Sequence, residues 1–181
     1  MRGTLSGDLG ALDRLGASIA DLGSSRTMTA AHDEVAQEAL DLIDRGFQGE
    51  RDPYGIPWFR KRYPDGRKVL DGETHQLRKS FKILYTDAHR ALIGSTLGRS
   101  RFQQGGTGLY GPSRQRIRSK SGKVMRWTSG GGAVFARSTR GQQQRRMVPV
   151  YGFPSPIWNR AMRKRLKNFF AGRLKAAVKA A

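Results

Sequence analysis

The strongest constraint on the fold of this chain is the distribution of its acidic residues, which all lie in one half. Residues 1–98 contain all 14 Asp and Glu residues and 14 of the 34 Lys and Arg residues, so this half is neutral. Residues 99–181 contain the other basic residues and no acid, and they carry the whole net charge of +20. Ordinary folded surfaces mix both signs. We therefore expect the acid-free half to face a polyanion or an acidic protein neighbour.

A disordered basic tail is the alternative interpretation of the acid-free half. Disordered tails generally have few large aromatic side chains. Aromatic side chains bury apolar surface and so favour folding. The acid-free half still carries such side chains, among them Trp127, Phe135, Tyr151, Phe153, Trp158, Phe169 and Phe170. This content favours an ordered basic region over a tail.

Helical periodicity is clearest near the two ends of the chain. Apolar residues recur at steps of three and four over residues 5–22 and 30–47, which predicts two helices. Ser6 is the predicted N-cap of the first helix and Gly23 its predicted end, and Gly46 is expected to break the second helix.

The C-terminal helix has the strongest local signals. Ser155 is predicted to cap it and Pro156 to take its first position. An apolar stripe from Trp158 to Val178 faces one side, and Arg and Lys residues populate the other.

Short apolar runs predict strands between these helices. Residues 81–85 and 91–94 are expected to form one hairpin, and residues 123–127 and 133–138 a second hairpin around a Gly-rich turn. Residues 98–122 are expected to be a mobile loop. Residues 147–151 are expected to form an edge strand, because Pro149 cannot donate a ladder hydrogen bond.

These elements predict an α+β fold, in which the N-terminal helices and a long C-terminal helix pack on a small antiparallel sheet with an extended basic arm or hairpin. The length suits one domain. We expect three segments within it: a charge-neutral core over 1–98, a basic Gly/Arg-rich arm over 99–146, and an edge strand with a basic amphipathic helix over 147–181.

Catalytic, metal and membrane functions find little support in the sequence. The chain has no Cys, so disulfides and thiolate metal sites are excluded. Its three His residues are scattered without ligand spacing, and no apolar run is long enough to span a bilayer. Asp65, Asp71 and Glu73 suggest a metal-dependent nuclease only weakly, because their spacing matches no known motif. We predict a non-enzymatic protein with no cofactor, no metal and no membrane partner.

A turn follows the second predicted helix. Asp52 can accept hydrogen bonds from backbone amides that follow it in sequence, and Pro53 fixes its own φ. Gly55 lets the chain leave the turn without steric strain. Trp58 would then lie on the helix that ends near Phe47. The turn is either a structural anchor within the chain or a subunit contact, for which Pro53, Tyr54 and Trp58 are the candidates.

The sequence Phe47-Gln48-Gly49-Glu50-Arg51-Asp52-Pro53-Tyr54-Gly55-Ile56-Pro57-Trp58 resembles the phage virion morphogenesis family, which comprises tail-completion or neck proteins of tailed bacteriophages. In that family a helix ends in Phe and is followed by an acidic residue, Asp-Pro-x-Gly and Trp. Residues 70–80, 93–95, 102–106 and 148–153 resemble further family segments in the same order.

The resemblance implies a structural virion protein that joins the tail to the head connector. It implies a homo-oligomeric ring, six-fold like tails of this kind, around the DNA channel. The implied partners are the portal or connector-adaptor, the tail-terminator or tail-tube proteins, and genome DNA in the lumen. The implied location is the virion neck or tail, assembled in the host cytoplasm, and the family has no known catalytic residues.

The basic residues of the acid-free half have two candidate roles, contact with DNA phosphates in a channel and contact with acidic surfaces of neighbouring virion proteins. The alternative function is a nucleic-acid-binding protein that uses this half to coat DNA or RNA. The contact candidates are Arg114, Arg116, Arg118, Lys120, Lys123, Arg126, Arg137, Arg140, Arg163, Lys164 and Lys167.

Overall fold

The long amphipathic segments form the three main helices of an α+β fold. A computed structural model describes residues 9–61, 66–70, 74–129, 132–150 and 152–180. In it, α1 spans Leu9–Leu22, α2 spans Ser25–Gly49 and α5 spans Pro156–Ala180. The end of α1 before Gly23 confirms the predicted stop, since the Gly23 N–H bonds the Ala20 carbonyl at 3.2 Å. The predicted cap Ser6 lies outside the described residues.

Helix α2 is longer than predicted at both ends. Its start is capped by Ser24, whose Oγ accepts the Thr27 N–H at 3.2 Å. The prediction that Gly46 breaks the helix is wrong. The helix instead ends at a left-handed Glu50 with φ +52, where the Arg51 N–H bonds the Gly46 carbonyl at 3.0 Å, as in a Schellman ending.

The C-terminal helix has the predicted start. Pro156 is its first residue, and the Oγ of Ser155 accepts the Trp158 N–H at 3.2 Å. The apolar stripe is buried at Trp158 and becomes exposed towards the end, with Leu174 at 45% and Val178 at 60%.

The strands form small two-stranded antiparallel sheets. β1 (Phe81–Thr86) pairs with β2 (Ala91–Ser95), and β4 (Met125–Ser129) pairs with β5 (Gly132–Ala136), which confirms both predicted hairpins. A further pair, β3 (Ile117–Arg118) with β6 (Ser138–Thr139), was not predicted, because two-residue strands carry no periodic signal.

Residues 98–122 are not the mobile loop that their composition predicts. They contain α4 (Ser100–Gly105), a 3-10 turn (Gly108–Tyr110) and β3, and backbone hydrogen bonds tie Thr107 and Leu109 to Gln142 and Arg140 at 2.9 and 2.8 Å. The short helix α3 (Gln76–Lys79) overlaps the turn or helix expected before β1.

The edge strand predicted over residues 147–151 is also absent from the described part of that segment. Val150 forms only an isolated bridge with Phe153. Pro149 lacks a donor and Gly152 turns the chain at φ +79, so a longer ladder cannot form there.

Contacts divide the chain into two compact units, whose boundaries fall inside α2, β1, β2 and α5. Unit 1 contains residues 1–39, 83–93 and 160–181, and unit 2 contains residues 40–82 and 94–159. These units cut across the three segments expected from composition.

Unit 1 is held by small buried residues of α2 and by ion pairs to α5. Ala31, Ala36 and Thr27 are buried. Arg165 pairs with Glu34 at 2.6 Å, and Arg173 lies 3.6 Å from Asp21. Because both pairs are partly exposed, each contributes at most about 1 kcal/mol.

Unit 2 has an aromatic core at the end of α2. The Phe47 ring is 1% exposed and meets the Trp58 ring edge-on, with centroids 5.4 Å apart, and the Phe81 ring at 6.2 Å. Among the described residues of the unit, the other buried apolar side chains are Leu42, Ile43, Val69, Leu77, Met147 and Trp158.

Candidate polyanion-binding groove and apolar patch

The turn after α2 has the hydrogen bonding that its sequence predicts. Asp52 Oδ1 accepts the N–H groups of Tyr54 at 2.9 Å and Ile56 at 2.8 Å, and Gly55 adopts φ +87. The turn is therefore rigid and stabilised by its own residues.

The three predicted interface residues make their contacts within the chain. Trp58 is 6% exposed and its Nε1 donates to the Arg146 carbonyl at 3.0 Å. Pro53 is buried, and its carbonyl accepts from the Ser155 hydroxyl at 2.5 Å. The half-buried Tyr54 donates its hydroxyl to the Phe153 carbonyl at 2.6 Å. This geometry supports the structural-anchor interpretation for these side chains.

Large apolar side chains surround this anchor and are exposed. We call Ile56, Phe59, Val150, Phe153 and Ile157 the apolar patch. Ile56 is 61% and Phe153 69% exposed. Its members border the turn and the hollows beside it: the Val150 N–H donates to the Tyr54 hydroxyl at 3.1 Å, Phe59 and Val150 line one hollow, and Ile56 and Phe59 line another.

A second feature of unit 2 is a groove of about 760 Å³ lined by basic and aromatic side chains. Its cations are Arg60, Arg116, Arg140 and Arg145, and its aromatic side chains are Tyr110 and Trp127. We call these six residues the arginine groove. Arg116 and Arg140 were predicted as contact residues, whereas Arg60 and Arg145 were not.

The β4–β5 hairpin supplies one side of the arginine groove. Trp127 pairs directly with Val134 and Met125 with Ala136, and side chains of directly paired residues share one face. Trp127, Val134 and Ala136 all line the groove. Arg126 pairs with Phe135 on the alternate face, where the guanidinium lies 5.7 Å from the ring centroid.

Close backbone packing positions the opposite side. Gly108 and Gly141 have φ +63 and +89, and a Cβ at either would overlap backbone atoms of the other segment. Arg140 precedes Gly141, and Arg116 Nη1 donates to Ser138 Oγ at 3.5 Å. Arg145 Nε donates to the Phe59 carbonyl at 3.1 Å, which brings it beside Arg60.

The positive charge of the arginine groove is not neutralised by acidic side chains among the described residues. No carboxylate among the described residues forms an ion pair with any of its four arginines. Burial lowers the pKa of the Arg145 guanidinium, because desolvation disfavours its charged form. An anion bound beside Arg145 would therefore favour the charged form that burial disfavours.

The other predicted contact residues are dispersed. Arg114 lines a neighbouring hollow of about 810 Å³ with Arg146, and Arg126 lies on the alternate face of the hairpin. Four more lie exposed along the arm: Arg118, Lys120, Lys123 and Arg137. Arg163, Lys164 and Lys167 are exposed on the α5 segment of unit 1.

The described part of the chain offers neither a cluster of metal ligands nor a membrane-spanning helix. The described ranges contain no group of three His, Asp or Glu side chains suited to a metal ion, and Asp65, Asp71 and Glu73 lie outside them. None of the helices described is both long and apolar enough to cross a bilayer.

No protein-family model, curated protein sequence or solved structure matches the chain.

Proposed function

We propose that this chain is a structural virion protein of a tailed bacteriophage, a neck or tail-completion protein that forms a ring of identical subunits joining the tail to the head connector. The resemblance of residues 47–58 supports this proposal, and the observation that carries it is the apolar patch around the same turn. The proposed protein is not an enzyme and works through assembly in the virion.

The apolar patch suits a subunit contact. Five of the seventeen large apolar side chains that are exposed among the described residues belong to it. Monomeric proteins rarely leave large contiguous apolar surfaces in water. A head-to-tail contact between identical subunits covers such a surface in every copy of a ring, which forms where the rotation between neighbours closes. The anchor residues Pro53, Tyr54 and Trp58 would then hold the patch in shape beneath the contact.

The acid-free half suits the remaining partners of a neck protein. Arg and Lys side chains neutralise phosphates without reading bases, which fits DNA in the lumen of a ring. The same cations can contact acidic surfaces of the portal or connector-adaptor and of the tail-terminator or tail-tube proteins. Six copies are proposed from the six-fold symmetry of tails of this kind.

Deletion of the gene from a phage or prophage that carries it tests the proposal. We expect DNA-filled heads and separate tails in electron micrographs, with joined particles restored by the wild-type gene in trans. Normal tailed, infectious particles from the deletion would overturn the proposal.

A matched pair of variants tests whether the apolar patch is the contact. Phe153→Asp should prevent ring formation and tail joining, because a charge would be buried at the contact. Phe135→Asp, with a side chain that is 62% exposed on the hairpin, should allow both. Joined particles from Phe153→Asp would show that the patch is not the contact.

A gel-shift titration against salt distinguishes the proposed function from nucleic-acid coating. Tight duplex binding by the free monomer, with affinity falling steeply as salt rises, would favour the coating protein. Rings that form with connector or tail proteins in the absence of DNA would favour the neck protein.

A further inference from the structure

We infer that the arginine groove is a binding site for single-stranded nucleic acid, in which the four arginines contact phosphates and Trp127 stacks on an unpaired base. The inference concerns the free chain and does not depend on a place in a virion.

Trp127 is positioned for stacking. It is 37% exposed, while Trp58 and Trp158 are 6% and 5% exposed, so Trp127 alone of the three tryptophans offers its ring to a ligand. Tyr110 lines the same groove. Aromatic side chains in a basic groove are the usual platform for unpaired bases, because every base has a π-face.

The cations suit phosphates better than scattered surface charges do. All four are arginines, whose planar guanidinium binds phosphate oxygens through two hydrogen bonds. They come from three separate stretches of chain, around residues 60, 116 and 140–145, and meet in one hollow. A nucleic-acid strand supplies one phosphate with each base, and therefore matches a site that combines cations with a stacking face.

An unpaired strand fits this site better than a duplex or an acidic peptide. In a duplex the bases stack on one another, which leaves no face for Trp127. An acidic peptide could pair with the arginines but has no need of the exposed indole. The groove of about 760 Å³ can enclose a short stretch of single strand.

Binding of the full chain to a fluorescently labelled oligo-dT of about 12 nucleotides, within the range of about 4–16 nucleotides that single-strand grooves occupy, tests the inference by anisotropy. We expect tryptophan emission to be quenched on binding. Trp127→Leu should abolish the quenching and weaken binding by about tenfold. Arg140→Gln should keep the quenching and reduce the salt dependence of log K by about 0.7.

Arg126→Gln is the matched control, because it also removes one arginine charge, but from the alternate face of the hairpin that carries Trp127. It should keep the quenching and bind more tightly than Arg140→Gln. Circular dichroism of each variant should show that the fold is retained, because the changed side chains are exposed.

Three results would overturn the inference: wild-type affinity in Trp127→Leu and Arg140→Gln, an equal loss in Arg126→Gln, or displacement of the oligonucleotide by poly-glutamate at equal charge concentration. The last result would assign the groove to acidic proteins. Each can occur while gene deletion still yields unjoined tails, so the failure of this inference and the failure of the proposed function are distinguishable.

Discussion

Trp58, which ends the segment that resembles the phage family, packs in the core of unit 2. The Trp58 ring packs edge-on against Phe47, and its N–H is satisfied by a backbone carbonyl 88 residues away in sequence. The long sequence separation means that this one side chain joins the turn after α2 to the segment before α5.

Trp58→Ala should lower the free energy of unfolding by about 3–5 kcal/mol, because it leaves a cavity and an unpaired carbonyl. Urea denaturation measures this loss. Trp127→Ala, which truncates an exposed indole, should change the same quantity by only about 0.5 kcal/mol. Equal losses in the two variants would contradict the buried role of Trp58. If tail joining also fails in Trp58→Ala, the loss of stability explains that failure.

Asp44 on α2 provides a pH-dependent contribution to stability. Its carboxylate accepts hydrogen bonds from Arg78, one of them from Nη2 at 2.7 Å, and from Gln48 at 2.7 Å. The hydrogen bond from Arg78 lowers the pKa of Asp44 below its ordinary value.

A lowered carboxyl pKa stabilises the fold above the ordinary aspartate pKa of about 3.9, and this contribution is lost as pH falls through the lower pKa of the folded state. The free energy of unfolding of Asp44→Asn should therefore lie below that of the wild type at pH 7, and the difference should shrink at strongly acidic pH. Asp41→Asn, at an exposed position of the same helix, is the control. A difference for Asp44→Asn that is constant with pH would contradict this.

At the scale of elements, the sequence predicts those helices and hairpins that are stabilised by contacts between neighbouring residues. Ser155 and Pro156 marked the start of α5, and a Gly-rich turn between β-formers marked β4 and β5; both predictions are confirmed. The structure of residues 98–122 was not predictable, because α4 and β3 have no periodic apolar face. Contacts with residues 138–145, distant in sequence, hold them in place.

Gly141→Ala should disrupt this pairing. A Cβ at residue 141 would overlap the Thr107 carbonyl, and φ is +89. Gly122→Ala is a matched control, because it has φ +70 and nothing within 4 Å of the added Cβ. We expect backbone strain of about 1 kcal/mol in the control and about 1–3 kcal/mol more in Gly141→Ala from overlap, measured by thermal unfolding. Equal effects would show that the two segments separate at little cost.

The basic arm should be cut at its turns and not along its whole length. Arg118, Lys120 and Lys123 are exposed around a turn, whereas the Arg145 N–H bonds the Gln103 carbonyl at 2.7 Å. Limited trypsin digestion read by mass spectrometry should cleave the free chain first between residues 118 and 123. Protection of the same sites in assembled particles would support ordering against a partner, and a first cut at Arg145 would contradict the fold of the arm.

At the scale of the whole molecule, the sequence identified the charge of the candidate site and only part of its composition. Arg116 and Arg140 were predicted because they lie in the acid-free half. Arg60 lies in the neutral half, and its meeting with Arg145 depends on a hydrogen bond between positions 86 residues apart, which no local pattern encodes. The apolar patch was missed for the same reason, since its members come from two distant segments.

If subunits cover the apolar patch on assembly, stability must depend on concentration. The thermal midpoint of the wild type should rise with protein concentration, because association stabilises the folded form by mass action. Phe153→Asp should remove this dependence, while Phe135→Asp should retain it. A concentration-independent midpoint for the wild type, measured by scanning calorimetry, would argue against self-assembly of the free chain.

The ion pairs of unit 1 also bear on how the chain folds during synthesis. Arg165 and Glu34, which form an ion pair, are 131 residues apart in sequence, and Arg173 and Thr27, which share a hydrogen bond, are 146 apart. Unit 1 therefore cannot close until α5 has left the ribosome, and contacts of such high sequence separation form slowly. Throughout that interval α1 and the start of α2 are exposed without their final packing. Nascent copies would then depend on chaperones or on neighbouring chains made from the same message to avoid aggregation.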